Sequence, residues 1–178
     1  MDDAEARDRL TRLWVDLHED VVRFVARRAP TELVDDVVSE TFLAAWRRVE
    51  DVPSEPRPWL FGVARNVLAT QVRTHGRWQA LGVRLEQEPR AVQEPLDDVA
   101  TDRTDLRRAW ELLGDADREV IALVAWDGLT NIEAAQVLGC RPSTFAVRLN
   151  RARKRLLAFS EIPQGTAATL RHMQQETP

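Results

Sequence analysis

The sequence predicts an all-α protein with two small helical domains joined by a flexible acidic linker, the second domain being a helix-turn-helix. Apolar residues recur every three or four positions on both sides of a central break, as in amphipathic helices. Strand-like alternation of apolar and polar residues is absent from the sequence. The break, residues 76–105, is rich in acids and contains Pro89 and Pro95, as expected of a linker.

The first domain, residues 1–75, should contain three helices. The first runs to Arg28 and ends before Pro30, because proline cannot continue a helix. Thr31 is available as the N-cap of the second helix. Pro58 suits the first turn of the third helix. These three amphipathic helices should pack on one another as one unit.

The second domain, residues 106–160, carries the clearest local signals. Thr130 and Glu133 have the spacing of a capping box, and Gly139 is placed to end that helix in a left-handed conformation. Pro142 suits the first turn of the last helix, which completes a helix-turn-helix. The side chains expected to face inward are Ile132, Ala135, Leu138, Phe145, Leu149, Ala152 and Leu156.

Composition restricts the class of protein. A chain of 178 residues with 44% hydrophobic and 30% charged residues is expected to fold. A long apolar run is lacking and the first residues are charged, so we expect a cytoplasmic protein without a membrane span or signal peptide. Cys140 is the single cysteine and the three histidines are scattered, so no metal or other cofactor is expected. The polar tail, residues 161–178, should be frayed.

The charges are distributed unevenly along the chain. The net charge is -4, yet no acid occurs between Arg141 and Ser160. A basic second helix of a helix-turn-helix suits the major groove of duplex DNA, where arginines neutralise phosphates. The alternative is a solvated basic face, but the order of capping box, glycine turn and basic helix favours DNA binding.

Two further helices have faces that periodicity alone does not explain. The segment Val34–Arg48, which forms most of the predicted second helix, has acidic residues at its start. Glu40 and Thr41 of this segment are expected to face away from the core. This face is either solvated or docks on a partner.

The third helix carries side chains that suit contact with unstacked bases. These are Trp59, Phe61, Arg65, Asn66 and Arg73. The two aromatic residues could instead be core residues. Among these five residues, Asn66 is the favoured reader.

Three segments resemble a known family. DDVVSETFLAAWRR and RPWLFGVARNVLATQVR look like the second conserved region of extracytoplasmic-function sigma factors, group IV of the sigma-70 family. LTNIEAAQVLGCRPSTFAVRLNRARKRL resembles their fourth region. The segments follow the family's order, and the resemblance as a whole covers about two thirds of the chain. The resemblance implies a subunit that binds core RNA polymerase and directs promoter-specific initiation by recognising the minus-thirty-five and minus-ten elements and assisting promoter melting.

The resemblance also implies site residues at the matching positions. The helix expected to dock on the clamp helices of the polymerase large subunit contains Asp35, Asp36, Ser39, Glu40, Thr41, Phe42 and Trp46. The minus-ten candidates are Val52, Pro53, Ser54, Arg57, Arg65, Asn66 and Arg73. The minus-thirty-five candidates are Arg141, Ser143, Thr144, Phe145, Arg148, Arg151, Arg153 and Lys154. The polymerase flap, promoter DNA and an anti-sigma factor are further expected partners, and a membrane is not.

The chain departs from the family pattern in the last helix. Phe145, Ala146 and Val147 stand where the family often has valine, lysine and serine, so two polar contacts to DNA are replaced. Arg141 stands where a small N-capping serine is common. A cation at a helix N-terminus opposes the helix dipole, which suggests an anionic partner such as a phosphate.

Two other functions remain as alternatives. A stand-alone helix-turn-helix regulator would use the first domain for dimerisation or ligand binding, and would bind duplex DNA without polymerase. An enzyme is not expected, because the sequence presents no nucleophile paired with a base, no glycine-rich phosphate loop and no clustered carboxylates.

Overall fold

Within the residues it describes, 3–75 and 97–160, the computed structural model is entirely helical, which confirms the predicted fold class. Side chains are described for residues 4–71 and 105–160. The helices are α1 (Asp3–Ala26), α2 (Thr31–Arg47), α3 (Pro56–His75), α4 (Asp97–Leu112), α5 (Asp115–Ala125), α6 (Asn131–Val137) and α7 (Pro142–Ser160), with a 3-10 turn at Val49–Asp51.

The N-terminal module consists of α1, α2 and α3, with α1 packed against both other helices. Its centre is aromatic: the rings of Phe24 and Phe61 stack with centroids 4.5 Å apart. Val21 and Leu60 are fully buried beside them. Each such side chain stabilises the fold by about 1.5–3 kcal/mol when removed from water, which is why these helices pack rather than stand alone.

The C-terminal module consists of α4 to α7, with α7 packed against the other three helices. The indole rings of Trp110 and Trp126 meet edge to face with centroids 4.5 Å apart. Phe145, Leu149 and Ala152 turn one side of α7 into the core. The position of α7 is therefore set by this apolar side.

The local signals around α6 are confirmed. The Thr130 side chain accepts a hydrogen bond from the Glu133 backbone N–H at 3.3 Å, and Glu133 accepts one from the Thr130 backbone N–H at 2.7 Å. Gly139 has φ of 63°, a left-handed conformation that glycine adopts without steric cost. Pro142 is the first residue of α7. The helix-turn-helix is thus defined by interactions within a few residues of each other.

Three expectations about the elements were wrong. Thr31 does not cap α2; it is the first helical residue after Pro30, and no side-chain hydrogen bond caps the helix. Helix α4 begins at Asp97, inside the stretch assigned to the linker. Ile132 is 69% exposed. Three residues turn an α-helix by 300°, so side chains spaced by three shift by 60° around the helix axis at each step, and Ile132 comes to lie away from the buried side. The rest of the linker and the tail lie outside the described residues.

The two modules are in contact. Helix α3 lies against α6, and a β-carbon placed on Gly62 would be 3.9 Å from the Val137 backbone. Buried apolar residues of both modules form one continuous cluster. Sequence periodicity predicted two separate units and gave no sign of this interface.

The capping box generates a prediction about stability and pH. Hydrogen bonds from the Thr130 backbone and side chain hold the pKa of Glu133 below its ordinary value of 4.5. A carboxylate with a lowered pKa contributes stability above its unfolded pKa and loses it as the pH falls through the folded pKa. We expect Thr130→Ala to cost about 1 kcal/mol at neutral pH.

The measurement is the free energy of unfolding in urea at several pH values. The stability difference between wild type and Glu133→Gln should be present at neutral pH and shrink below pH 4.5. Glu32→Gln is the control, since Glu32 is an acid in the first turn of α2, which has no side-chain cap. An equal and pH-independent loss in both variants would contradict the role of the cap.

Candidate nucleic-acid and polymerase interfaces

The solvent-facing side of α7 is determined by what the helix buries. Because Phe145, Leu149 and Ala152 face the core, positions half a turn away face solvent. The exposed residues on that outer face are Ser143, Val147, Asn150, Arg151 and Lys154. This face is long enough to present several side chains to one groove of a duplex.

The outer face of α7 is positively charged. The helix contains no acid, and Arg151, Arg153 and Lys154 are exposed. Arg155 differs from these residues, since its guanidinium donates to Asp117 of α5 at 2.6 Å and its charge is partly compensated. The cations available to an outside anion therefore lie mainly on the side of α7 away from α5.

The structure changes the candidate list for α7. Phe145 is completely buried, so its assignment as a minus-thirty-five contact was wrong. Arg141, Ser143, Thr144 and Arg148 are exposed. Val147 and Asn150 were missed, although their spacing from Ser143 and Lys154 marks them as members of the face opposite Phe145. A helical projection centred on the apolar side would have found them.

Helix α3 carries two exposed candidates for single-stranded DNA, Arg65 and Asn66. Phe61 is 1% exposed and belongs to the core, as its alternative interpretation held, while Trp59 is partly buried. The Arg48 guanidinium lies 5.8 Å from the centre of the Trp59 ring. The exposed polar side of α3 therefore includes the Asn66 amide and the Arg65 guanidinium.

The loop before α3 is less exposed than expected. Val52 is buried, and its carbonyl accepts a hydrogen bond from Arg9 of α1, so its side chain is not available to DNA. Pro53 is partly exposed and Ser54 is exposed. Arg73 lies in α3, but its side chain is outside the described part of the chain.

Arg57 is held by two acceptors from different modules. It donates to the Asp20 carboxylate at 2.6 Å and to the backbone carbonyl of Asp127 at 2.7 Å. Burial alone would raise the pKa of Asp20, but hydrogen bonds from Arg57 and Arg23 outweigh it and keep this pKa below its ordinary value. In this arrangement the Arg57 side chain is committed to the protein.

The outer face of α2 is acidic. Asp35, Asp36, Ser39 and Glu40 are exposed, and Gln71 of α3 donates to Glu40 at 2.9 Å. The expectation that Thr41 faces away from the core was wrong. It is fully buried, and its hydroxyl donates to the Val37 carbonyl at 2.7 Å.

The two aromatic candidates of α2 have different environments. Phe42 is buried, and Trp46 is partly buried. The Phe42 ring is covered by Trp14 of α1, with ring centroids 4.7 Å apart. Trp14 is 44% exposed and Leu43 of α2 is 46% exposed. These two apolar side chains were missed, and they add apolar surface beside the acids.

The described residues contain neither a candidate membrane-spanning helix nor a candidate metal-binding cluster. None of the helices in residues 3–75 and 97–160 is long and apolar enough to cross a membrane. In the same part of the chain, no group of three or more histidine, cysteine or acidic side chains could hold a metal ion.

Comparison with known families matches both modules. The sigma-70 region 2 family matches residues 13–77, and the sigma-70 region 4 family matches residues 103–156. The RNA polymerase sigma factor CnrH of Cupriavidus metallidurans is 35% identical over 147 residues, which cover 73% of this chain and 74% of CnrH. The ECF RNA polymerase sigma factor SigM of Bacillus subtilis is 32% identical over 144 residues, which cover 79% of this chain and 88% of SigM.

Two solved structures have a similar fold. The fold is similar to that of the sigma factor RpoE in complex with the anti-sigma factor NepR from Bartonella quintana, with a TM-score of 0.62, 23% identity and coverage of 86% of this chain and 98% of RpoE. CnrH in complex with the cytosolic domain of CnrY gives a TM-score of 0.51, with 27% identity and 88% coverage of both chains. The chain belongs to the extracytoplasmic-function sigma factors, group IV of the sigma-70 family, and directs transcription initiation with core RNA polymerase.

Proposed function

We propose that this sigma factor recognises the minus-thirty-five element through α7 and recognises and helps to open the minus-ten element through α3 and the loop before it, while α2 docks on core polymerase. The observation that supports this most directly is the separation of three chemically different surfaces. The outer face of α7 is basic, that of α3 carries the Asn66 amide beside Arg65, and that of α2 is acidic.

The outer face of α7 suits the major groove of duplex DNA. Arg151 and Lys154 can neutralise phosphates, and Asn150 can form a bidentate hydrogen bond with adenine. Val147 can contact the methyl group of thymine, which compensates in part for the polar contact that the family often makes there. These residues combine positioning contacts with contacts that read sequence.

The exposed side of α3 suits an unpaired base. Asn66 offers both a donor and an acceptor, which can pair with the Watson-Crick edge of a base that has left the stack. Arg65 is adjacent and can contact the strand backbone. Holding a flipped base offsets the cost of unstacking it, so binding of the open strand would favour melting.

The outer face of α2 suits a partner surface that is basic with apolar patches. Three exposed acids, Asp35, Asp36 and Glu40, provide the charge, and Leu43 and Trp14 provide apolar area beside them. Interfaces of this kind combine an apolar, often aromatic, centre with a polar rim. The clamp helices of the polymerase large subunit are the proposed partner, and the flap is the proposed partner of the C-terminal module.

A regulatory protein partner is also proposed. CnrH, a relative with 27% identity in its solved structure, is bound there to the cytosolic domain of CnrY. By analogy, we expect a protein of the anti-sigma class to bind this chain and to compete with polymerase.

For the polymerase contact, we expect Asp36→Arg to weaken binding of core RNA polymerase roughly tenfold, because it replaces attraction by repulsion. The measurement is the dissociation constant of the full chain for purified core polymerase at two salt concentrations. Asp16→Arg is the matched control, an exposed acid on α1 that points away from Trp14 around the helix. Equal effects of both reversals would contradict docking through α2.

For the minus-thirty-five contact, we expect Arg151→Ala to weaken binding of all duplex sequences. The plot of log K against log salt concentration has a negative slope, and its magnitude should decrease by about 0.9, the value for loss of one phosphate contact. The measurement is fluorescence anisotropy of labelled duplex DNA with the full chain. Arg107→Ala, which removes an exposed arginine paired with Glu111 on α4, should leave the slope unchanged. If it lowers the slope equally, α7 has no special role.

For the minus-ten contact, we expect Asn66→Ala to change which base is preferred at one position of the minus-ten element. The measurement is transcription in vitro with core polymerase from promoters carrying each base at every position. Thr70→Ala, one turn later on α3, is the control, because the Thr70 hydroxyl donates a hydrogen bond to the backbone carbonyl of Asn66 within the helix. An unchanged profile for Asn66→Ala would exclude Asn66 and leave the loop 52–57 as the candidate.

A further inference from the structure

Two neighbouring cavities lie where α3 meets the C-terminal module. The first, which we call the amide cavity, is lined by Asn66 of α3 and Gln136 of α6 and has a volume of about 260 Å³. The second, which we call the arginine cavity, is lined by Arg65 of α3 and Arg148 of α7 and has a volume of about 580 Å³. Arg65 and Leu138 line both cavities, so one ligand could extend from one into the other.

The lining of the amide cavity suits a nucleobase. Asn66 and Gln136 each carry an amide donor and a carbonyl acceptor, and the edge of a base presents donors and acceptors in one plane. The partly buried ring of Trp59 lines the same space, and bases stack on aromatic rings. No acid is found among the described residues that line this cavity. A base placed here would have a stacking surface and polar partners from both modules.

The arginine cavity suits a phosphate. Arg65 and Arg148 are both exposed, so neither guanidinium is shielded from a ligand in this space. Within residues 4–71 and 105–160, no acid pairs with Arg148, and Arg65 Nε lies 3.9 Å from a carboxylate oxygen of Glu119, a long ion pair. Arginine binds phosphate through two parallel hydrogen bonds. The two guanidinium groups can therefore hold an anion from opposite modules.

Three acids also line the arginine cavity, but each is already bound by an arginine. The donor-to-acceptor distances are 2.6 Å for Arg155 to Asp117, 3.0 Å for Arg28 to Glu119 and 3.4 Å for Arg118 to Asp115. Each of these three carboxylates thus has its own cation. Arg148 adds a positive charge that none of them offsets, so the cavity attracts an anion.

We propose that the two cavities together bind a free nucleotide, with the base in the amide cavity and the phosphates between Arg65 and Arg148. This site differs from the proposed minus-ten site, because Gln136 and Arg148 belong to the C-terminal module. The free chain offers both walls at once, whereas a melted promoter strand would be held by the N-terminal module alone. The nucleotide site itself does not rest on the promoter contacts proposed above.

A nucleotide bound in this way has two consequences. It stabilises the chain by mass action, since it binds the folded state and contacts both modules. It also occupies Asn66, so it would compete with the minus-ten base that Asn66 is proposed to read. The second consequence rests on the proposed function, whereas the first does not.

Isothermal titration calorimetry of the full chain, without polymerase or DNA, tests the proposal. The probes are the four nucleoside diphosphates ADP, GDP, CDP and UDP, with inorganic pyrophosphate as the probe that lacks a base. We expect at least one nucleotide to bind roughly tenfold more tightly than pyrophosphate, because stacking of the base adds to binding. If no nucleotide binds more tightly than pyrophosphate, the proposal is overturned. Failure of the promoter contacts would leave this result unaffected.

Two substitutions locate the site. Gln136→Ala should weaken binding of the preferred nucleotide, and Arg148→Ala should weaken binding of both nucleotide and pyrophosphate, each about tenfold. Asn131→Ala on α6 and Arg153→Ala on α7 are the matched controls, since they remove an exposed amide and an exposed arginine that line neither cavity. All four side chains are exposed, so the far-UV circular dichroism spectrum should not change. If either test variant binds the nucleotide as tightly as its control, the proposed site is overturned.

Discussion

The carboxylate of Asp127 accepts hydrogen bonds from two adjacent arginines of the other module, and the arrangement of the modules depends on this contact. Two arginines side by side in a nearly dry interface repel each other and lose their hydration, so they need an anion between them. Arg28 also donates hydrogen bonds to the Glu119 carboxylate and to the Phe24 backbone carbonyl. Its guanidinium lies 3.7 Å from the centre of the Phe24 ring. The requirement positions α5 and α6 against the N-terminal module.

A second constraint acts within each module: a helix can offer to a partner only the face that it does not bury. In α7, packing of Phe145 and Leu149 directs Asn150 and Arg151 to solvent. In α2, the buried side that includes Phe42 leaves the acids outside. Core packing therefore decides which residues form the surfaces proposed for DNA and for polymerase. The residues left outside make the α7 surface basic and the α2 surface acidic.

Local signals predicted the elements well where a few neighbouring residues decide the outcome. The capping box of Thr130 and Glu133 and the left-handed Gly139 are satisfied by atoms within one turn, so the sequence contains the whole interaction. Thr31 failed as a cap because the chain enters α2 through Pro30. Ile132 failed as a core residue because spacing alone does not say where the centre of the buried side lies.

The sequence by itself determined the helical fold, the order of the two modules, the basic character of α7 and the family resemblance, since all of these depend on residues close together in the chain. Only the tertiary structure decided that Thr41 and Phe145 are buried and that Arg57 is engaged by the other module. It also decided the pairing of Arg27 with Asp127 across 100 positions. Periodicity of three to four residues is set by the backbone of one helix, whereas a charge pair at that separation forms only when packing brings the two modules together.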